Sequence, residues 1–345
     1  MKSPESARSD DLPEAPGSGP MAVPTPTFVQ RMLPFLERYA LVLIFVVVVI
    51  AFSAMEPDSF ATWQNVKNIL GNQSVLAIVA LAAILPLIGG QFDLSVGSTV
   101  GISSIATAAG LSRFDLPLVI AVVVGVGLGA LIGLVNGFVV AKIGVNALIT
   151  TLGTAAVIAG VTSWYTEGQS ITARIPRALT DLGSGVLFGL PRPIYVLAGA
   201  GVAVWYVVSH TPFGRYLQSV GSNVTSARLV GLQVDRVVIW SFVLAGALAG
   251  VAGVLHVGRA GGGNPQVGPN FMLPALSAAF LGATTIRPGR YNVPGTIVGV
   301  FFVAASVTGL SLVGVPYFIE PVFTGVALVT AVAASTLLAR HRTGS

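Results

Sequence analysis

Ten apolar runs follow one another along the chain, and they restrict the fold more than any other feature. Their approximate ranges are 39–55, 72–89, 94–110, 116–141, 147–165, 193–208, 237–257, 271–285, 293–311 and 317–338. A helix needs about 20 apolar residues to cross the hydrocarbon core of a bilayer. Charged residues make up only 9% of the chain, against about 25% in a typical soluble domain. The pattern predicts an all-α integral membrane protein with about ten transmembrane helices.

The distribution of Lys and Arg predicts the orientation of these helices. With a cytosolic N-terminus and ten crossings, twelve of the 18 basic residues lie on the inner side. The six on the outer side are Lys67, Arg113, Arg174, Arg177, Arg192 and Arg259. Because cytoplasmic loops of membrane proteins carry an excess of Lys and Arg, we expect both termini in the cytosol. The same rule explains the net charge of +5 without a nucleic-acid partner.

The two ends of the chain differ in composition from the apolar part. Residues 1–38 are rich in Pro, Ser and acidic residues and lack a basic stretch leading into an apolar one, which predicts a disordered cytosolic tail. Residues 39–340 then form a single transmembrane domain, and 341–345 form a short cytosolic tail. The chain has no Cys and only three scattered His, so we expect no disulfide and no metal site.

One carboxylate stands where the chain otherwise enters lipid, in the segment "GGQFDLSVGSTVG" at 89–101. An aspartate at the bilayer centre costs roughly 2.5–3.5 kcal/mol on the insertion scale, so Asp93 must be capped, paired or hydrated. The two glycines can end one helix, and the Asp93 carboxylate can cap the next. Alternatively the break lines a polar pathway, because irregular backbone persists at membrane depth only inside protein or beside water. The two interpretations are compatible.

Polar side chains within the apolar runs, or at their ends, are candidates for lining a pathway or breaking a helix. They are Asp93, Ser95, Asn136, Asn146, Thr150, Thr151 and Glu320. Most of them can equally well serve as hydrogen-bonding partners between helices. Glu320 lies near the outer end of the last run, where a hydrated carboxylate costs little.

The longest inner loop, residues 209–236, carries the signals of two short helices. Thr211 and Pro212 are an N-cap and first-turn pair, and Gly221 is a stop that a second N-cap follows at once. The basic and apolar side chains of these helices suit either docking to a cytosolic protein or contact with lipid headgroups. Composition alone does not separate these alternatives.

A weak internal repeat is also present. "GG" at 89–90 is followed by "GV" at 144–145, and "GG" at 261–262 is followed by "GV" at 314–315, an offset of about 170 residues. With ten crossings the second copy is inverted in the membrane, which is a recurrent transporter design. Glycine-rich sequences also produce such echoes by chance.

Four segments of the chain resemble the ribose-type sugar permeases of ATP-binding-cassette importers. They are the segment at 89–101, "VNALITTLGTAAVIAGV" at 145–161, "TPFGRYLQSVGSNVTSARLVGLQVDRVVIWSFVLAGALAGVAGVL" at 211–255, and "LPALSAAFLGATTIRPGRYNVPGTIVG" at 273–299. The resemblance covers most of residues 60–335 in order. It implies a type II-like importer permease in the cytoplasmic membrane of a prokaryote, which moves a pentose or hexose by alternating access.

The resemblance also implies partners. These are a second permease copy, two cytosolic ATPase domains and an extracytoplasmic sugar-binding protein. In that family the inner loop between the sixth and seventh crossings supplies the coupling helix. By position, this assigns contacts with the ATPase to Arg215, Gly221, Ser222, Asn223, Arg228 and Leu229.

The chain has no motif for binding ATP itself. A phosphate-binding G-x-x-x-x-G-K-[ST] loop requires a lysine directly after a glycine. None of the three lysines, Lys2, Lys67 and Lys142, follows one. We therefore expect no catalytic residue and no bound cofactor, with ATP hydrolysis on a separate subunit. The alternatives are a permease for nucleosides or branched-chain amino acids, and an ion-coupled transporter in which Asp93 and Glu320 carry protons or cations.

Overall fold

Each of the ten apolar runs forms a helix in the computed structural model, which describes residues 28–316 and 318–343, with side chains at 38–316 and 318–333. In the described part of the chain these helices are α1 (Phe28–Met55), α2 (Trp63–Ile88), α3 (Val96–Ser112), α4 (Leu118–Phe138), α5 (Ala147–Thr166), α7 (Arg192–His210), α10 (Val234–Ala260), α11 (Gly268–Gly282), α12 (Val293–Leu312) and α13 (Ile319–Thr343). Of the helices described, seven are long and apolar enough to cross a membrane. The all-α membrane architecture is confirmed.

Short elements lie at the two ends of α7. Helix α6 (Arg177–Ser184) and an antiparallel hairpin of β1 (Val186–Leu187) and β2 (Leu190–Pro191) precede it. Helices α8 (Pro212–Ser222) and α9 (Val224–Leu229) follow it. The two groups therefore mark opposite ends of the molecule, which we call the α6 end and the α8 end.

Two helices extend into the predicted tails. Helix α1 begins at Phe28, inside the predicted tail of 1–38, and α13 continues to Thr343, inside the predicted tail of 341–345. The sequence "FVQRMLPFLERYA" that opens α1 has apolar residues at helical spacing, which a reading of composition overlooks. Residues 1–27 and 344–345 lie outside the described residues.

Two of the ten helices formed by the apolar runs are shorter than the others, and irregular backbone precedes each of them. Helix α3 has 17 residues and α11 has 15. At about 1.5 Å per residue, 17 residues span about 25 Å, less than the roughly 30 Å of a hydrocarbon core. The non-helical segments before α3 and α11 therefore contribute to the crossing.

The order of elements agrees with the predicted repeat. A break led by Gly90 separates α2 from α3, and a break led by Gly261 separates α10 from α11. Gly144 precedes α5 as Gly314 precedes α13, and all four glycines have positive φ, between 69° and 86°. Among the ten helices of the apolar runs α10 is the fifth after α2, so the two run in opposite directions when each of the ten crosses. This order supports an inverted repeat of α2–α5 and α10–α13.

Glycines allow α4 and α10 to approach backbone to backbone. A Cβ atom on Gly129 of α4 would collide with the carbonyl oxygen of Gly246 in α10, and a Cβ on Gly246 would collide with that of Gly129. Small residues at such contacts are the usual basis of helix association in membranes. Helix α10 also packs on α2 and α3, so it lies at the centre of the bundle.

We expect Gly129→Leu to lower the apparent melting temperature of the purified protein, because overpacking a tight contact costs about 1–3 kcal/mol. The matched control is Gly127→Leu on the same helix, since a Cβ there meets nothing within 4 Å. Thermal unfolding in detergent measures both. Equal melting temperatures for the two variants would contradict this packing.

Candidate functional site

The non-helical segment between α2 and α3, which we call the break, begins with a turn that backbone hydrogen bonds hold in place. Helix α2 contains Pro86 and ends at Ile88. The Gly90 N–H donates to Leu87 O at 3.0 Å, and the Gln91 N–H donates to Pro86 O at 2.9 Å. The positive φ of Gly90, 75°, makes this turn possible without strain. The chain thus leaves the helix in a fixed direction.

The Asp93 carboxylate lies just before α3 and accepts hydrogen bonds there. The side chain is buried, and Oδ1 accepts hydrogen bonds from the Ser95 N–H at 2.9 Å and the Ser95 hydroxyl at 2.6 Å. The N-cap position itself is Ser95, so the carboxylate acts from two residues before it. Negative charge at a helix N-terminus is favourable. This geometry agrees with a stabilising role for Asp93 at the helix start, which stays a prediction.

A polar network joins this break to α4 and α5. Asn136 Nδ2 donates to Ser95 Oγ at 2.9 Å, and the Thr154 hydroxyl donates to Asn136 Oδ1 at 2.6 Å. The Leu94 N–H donates to Thr151 Oγ1 at 3.0 Å. Four predicted residues, Asp93, Ser95, Asn136 and Thr151, are therefore brought together. Thr154 was missed, although its spacing of three from Thr151 places the two on one helix face.

Three predicted residues lie apart from the network. Asn146 is exposed and caps α5, accepting from the Leu148 N–H at 2.9 Å. The Thr150 hydroxyl donates to Asn146 O at 3.0 Å, so its bond is local to the helix. Glu320 is exposed in the first turn of α13. Asn146 and Thr150 therefore stabilise the start of α5. None of the three residues forms a hydrogen bond with the residues around Asp93.

Both short helices of the long loop form as predicted. Thr211 Oγ1 accepts from the Gly214 N–H at 3.3 Å, and Asn223 Oδ1 accepts from the Ser226 N–H at 2.9 Å. Buried Leu217 and Val220 on α8 share an apolar cluster with residues of α9, α10 and the end of α2. The pair of helices is therefore docked on the transmembrane helices through an apolar face.

Helix α8 touches the break directly. A Cβ on Gly221 would collide with Ile88 O, and a Cβ on Gly89 would lie 2.8 Å from Leu217 Cδ1. A Cβ on Gly90 would lie 3.6 Å from the Gly221 Cα. The predicted coupling loop and the predicted break are thus one contiguous site. Nothing local in the sequence indicates this contact.

The outward side of α8 and α9 carries the other predicted coupling residues. All of them are exposed: Arg215, Ser222, Asn223, Arg228 and Leu229. Leu229 is 83% exposed, which is high for an apolar side chain. Asp235 at the start of α10 lies 3.8 Å from Arg228 Nη2 of α9 and 2.8 Å from the Nζ of Lys142, which follows the end of α4.

The site is built from neutral polar groups and one carboxylate. Among the described residues, no group of three His, Asp or Glu side chains is placed to hold a metal ion. The network around Asp93 consists of hydroxyl and amide groups, with one carboxylate whose Oδ1 is bonded inside the same segment.

Comparison with known proteins assigns the family. The model of the family described as "Branched-chain amino acid transport system / permease component" matches residues 65–333. The chain belongs to this permease family. No solved structure matches this permease significantly.

Curated relatives of this permease match it over nearly their whole lengths. The ribose import permease protein RbsC of Escherichia coli (strain K12) is 33% identical over 301 residues, covering 86% of this chain and 92% of the relative. RbsC of Bacillus subtilis (strain 168) is 32% identical, with 88% and 92% covered. The L-arabinose transport system permease protein AraH of Escherichia coli (strain K12) is 32% identical, with 86% and 89% covered.

We expect Asp93→Asn to fold nearly as well as the natural permease, with a loss of about 1 kcal/mol or less, because Asn also accepts hydrogen bonds at helix starts. Asp93→Leu leaves the Ser95 N–H and hydroxyl without that acceptor, and an unsatisfied buried group costs roughly 1–3 kcal/mol. Thermal unfolding and membrane abundance measure both. An Asn variant as damaged as the Leu variant would show that the charge itself is required.

Proposed function

We propose that this permease is the transmembrane subunit of an ATP-binding-cassette importer that carries a monosaccharide of the pentose or hexose type. The observation that supports this most is the match to ribose and arabinose permeases over nearly their full lengths. The polar groups around the break agree with it, since sugar hydroxyls are bound by neutral hydroxyl and amide groups.

The proposed mechanism is alternating access without chemistry on the sugar. Two cytosolic ATPase domains dock on the exposed side of α8 and α9, and ATP binding moves these helices. Because Gly221 packs on the backbone of Ile88, a shift of α8 is passed to the break that carries Asp93. The network of Ser95 and Asn136 then passes it to α4 and α5.

The remaining parts of the importer are proposals of the same kind. A second copy of the permease, or a close homologue, completes the pathway, and an extracytoplasmic sugar-binding protein delivers the substrate. The α8 end faces the cytosol, together with both termini. This orientation places α6 and the hairpin on the side where the binding protein arrives.

A permease for branched-chain amino acids is the second candidate, because the family description names that substrate. We prefer a sugar since the relatives quoted above are ribose and arabinose permeases by name. An ion-coupled transporter has less support. Glu320 is exposed, and it lies outside the polar network that contains Asp93.

Reconstitution with the cognate ATPase and binding protein tests the proposal. We expect ATP-driven uptake of labelled D-ribose or L-arabinose into proteoliposomes, and none of L-leucine. Uptake of leucine alone would support the amino-acid permease. Sugar uptake that persists without the ATPase would contradict the ATP-driven mechanism.

We expect Gly221→Val to leave the permease folded but to reduce the stimulated ATPase activity to its basal rate. The added side chain collides with Ile88 O and pushes α8 away from the break. Arg228→Glu should have a similar effect by reversing the charge on α9. The matched control is Gly199→Val, where a Cβ meets nothing within 4 Å.

The assay measures ATP hydrolysis by the assembled importer with and without loaded binding protein. Wild-type stimulation in both the Gly221 and Arg228 variants would overturn the assignment of the coupling site. Loss of stimulation in the Gly199 control would show that the effect is not specific to α8.

A further inference from the structure

Phe92 is an exposed aromatic residue in the middle of the break. Its side chain is 42% exposed, whereas its neighbour Asp93 is 3% exposed. Irregular backbone at membrane depth is tolerated where it is buried in protein or lines a water-filled cavity. Asp93 thus faces into the protein, and the ring of the adjacent Phe92 projects from the break to an exposed surface.

The backbone around Phe92 is held on both sides. Before it, the Gln91 N–H donates to Pro86 O at 2.9 Å. The Thr151 hydroxyl lies 3.4 Å from Phe92 O and accepts from the Leu94 N–H at 3.0 Å. With these bonds in place, the backbone of Phe92 moves together with the rest of the break.

The ring of Phe92 also contacts the second half of the permease. It packs against Phe280 of α11 with ring centroids 6.2 Å apart, and Phe280 meets Tyr291 edge-on at 5.7 Å. Tyr291 lies in the connection between α11 and α12. Aromatic pairs at these distances are favourable contacts. Phe92 thus connects the break of the first repeat, which follows α2, with α11 of the second repeat, which follows α10.

Helix α8 reaches the break only a few residues before Phe92. Gly221 packs on Ile88 O and lies next to Gly90, and the Gln91 N–H ties the following backbone to Pro86. Any movement of α8 would therefore act on the break through backbone contacts as well as through the Leu217 side chain. Interiors packed to this density shift between discrete arrangements instead of deforming continuously.

We propose that Phe92 closes the α8 end of the transport pathway and that α8 moves it during the ATP cycle. The proposal rests on the function given above and assigns a gate to it. An apolar constriction excludes water and hydrated solutes when it is narrow. Contact of Phe92 with Phe280 defines the resting position, and displacement of the break by α8 separates the two rings.

Thiol labelling tests the gate without knowledge of the substrate. The chain has no cysteine, so Phe92→Cys introduces a unique thiol. The matched control is Phe114→Cys, an exposed aromatic position just beyond the other end of α3. Each variant is assembled with its cognate ATPase in lipid nanodiscs and treated with a small water-soluble thiol reagent, with and without ATP trapped by vanadate.

We expect trapped ATP to change the labelling rate at position 92 by about tenfold, as when a minor state rises from about 1% to 10% of the population. The rate at position 114 should stay constant. An ATPase that copurifies and hydrolyses ATP but leaves the rate at position 92 unchanged would overturn the gate alone. Failure of any ATPase to copurify would overturn the proposed function, and the gate with it.

Passive leak supplies a second readout. Proteoliposomes containing Phe92→Ala and loaded with labelled D-ribose should lose it without ATP, whereas Phe92→Trp and Phe114→Ala should remain tight. Retention of ribose by the Phe92→Ala vesicles at the rate of the natural permease would contradict a closing role for the ring.

Discussion

The contact between α8 and the break after α2 is the interaction on which the functional interpretation depends. It exists because two segments far apart in sequence each place glycine where the backbones meet. A side chain on Gly221 would collide with the backbone of Ile88, and one on Gly89 would meet Leu217. Close packing of backbone on backbone transmits displacement, because there is little free volume to absorb it.

The break can lie at membrane depth because its polar groups are satisfied within the protein. The Asp93 carboxylate is bonded to Ser95, and Ser95 is bonded to Asn136 of α4. Leaving such groups unpaired in a low dielectric is expensive, and networks of this kind fix a single arrangement when every member is paired. The break is therefore ordered irregular backbone, held at one side by α8 and at the other by α4 and α5.

Much of this architecture follows from local sequence. Spans can be predicted because lipid demands long apolar runs, and the ten predicted runs each contain a helix. Caps can be predicted because they involve near neighbours: Thr211, Asn223 and Asn146 each accept a hydrogen bond from an N–H two or three residues on. The hydrogen bonds of Asp93 to Ser95 are local in the same way.

The rest of the site depends on pairings that are distant in sequence. Asn136 and Ser95 are 41 positions apart, and Thr151 and Leu94 are 57 apart, so no local pattern joins them. Helix α6 and the hairpin were missed because they are short and lie between apolar runs. Helix α1 begins ahead of the predicted apolar run of 39–55, in a segment whose helical periodicity is hidden by its polar composition.

Hydrogen exchange of the assembled importer, with and without trapped ATP, tests the link between α8 and the break most directly. Amides in exposed, mobile segments exchange faster than those in stable structure, so a displaced segment changes its exchange rate. The account predicts that the peptides covering 211–222 and 88–95 change protection together on ATP binding. A change confined to 211–222, with 88–95 unaltered, would contradict it.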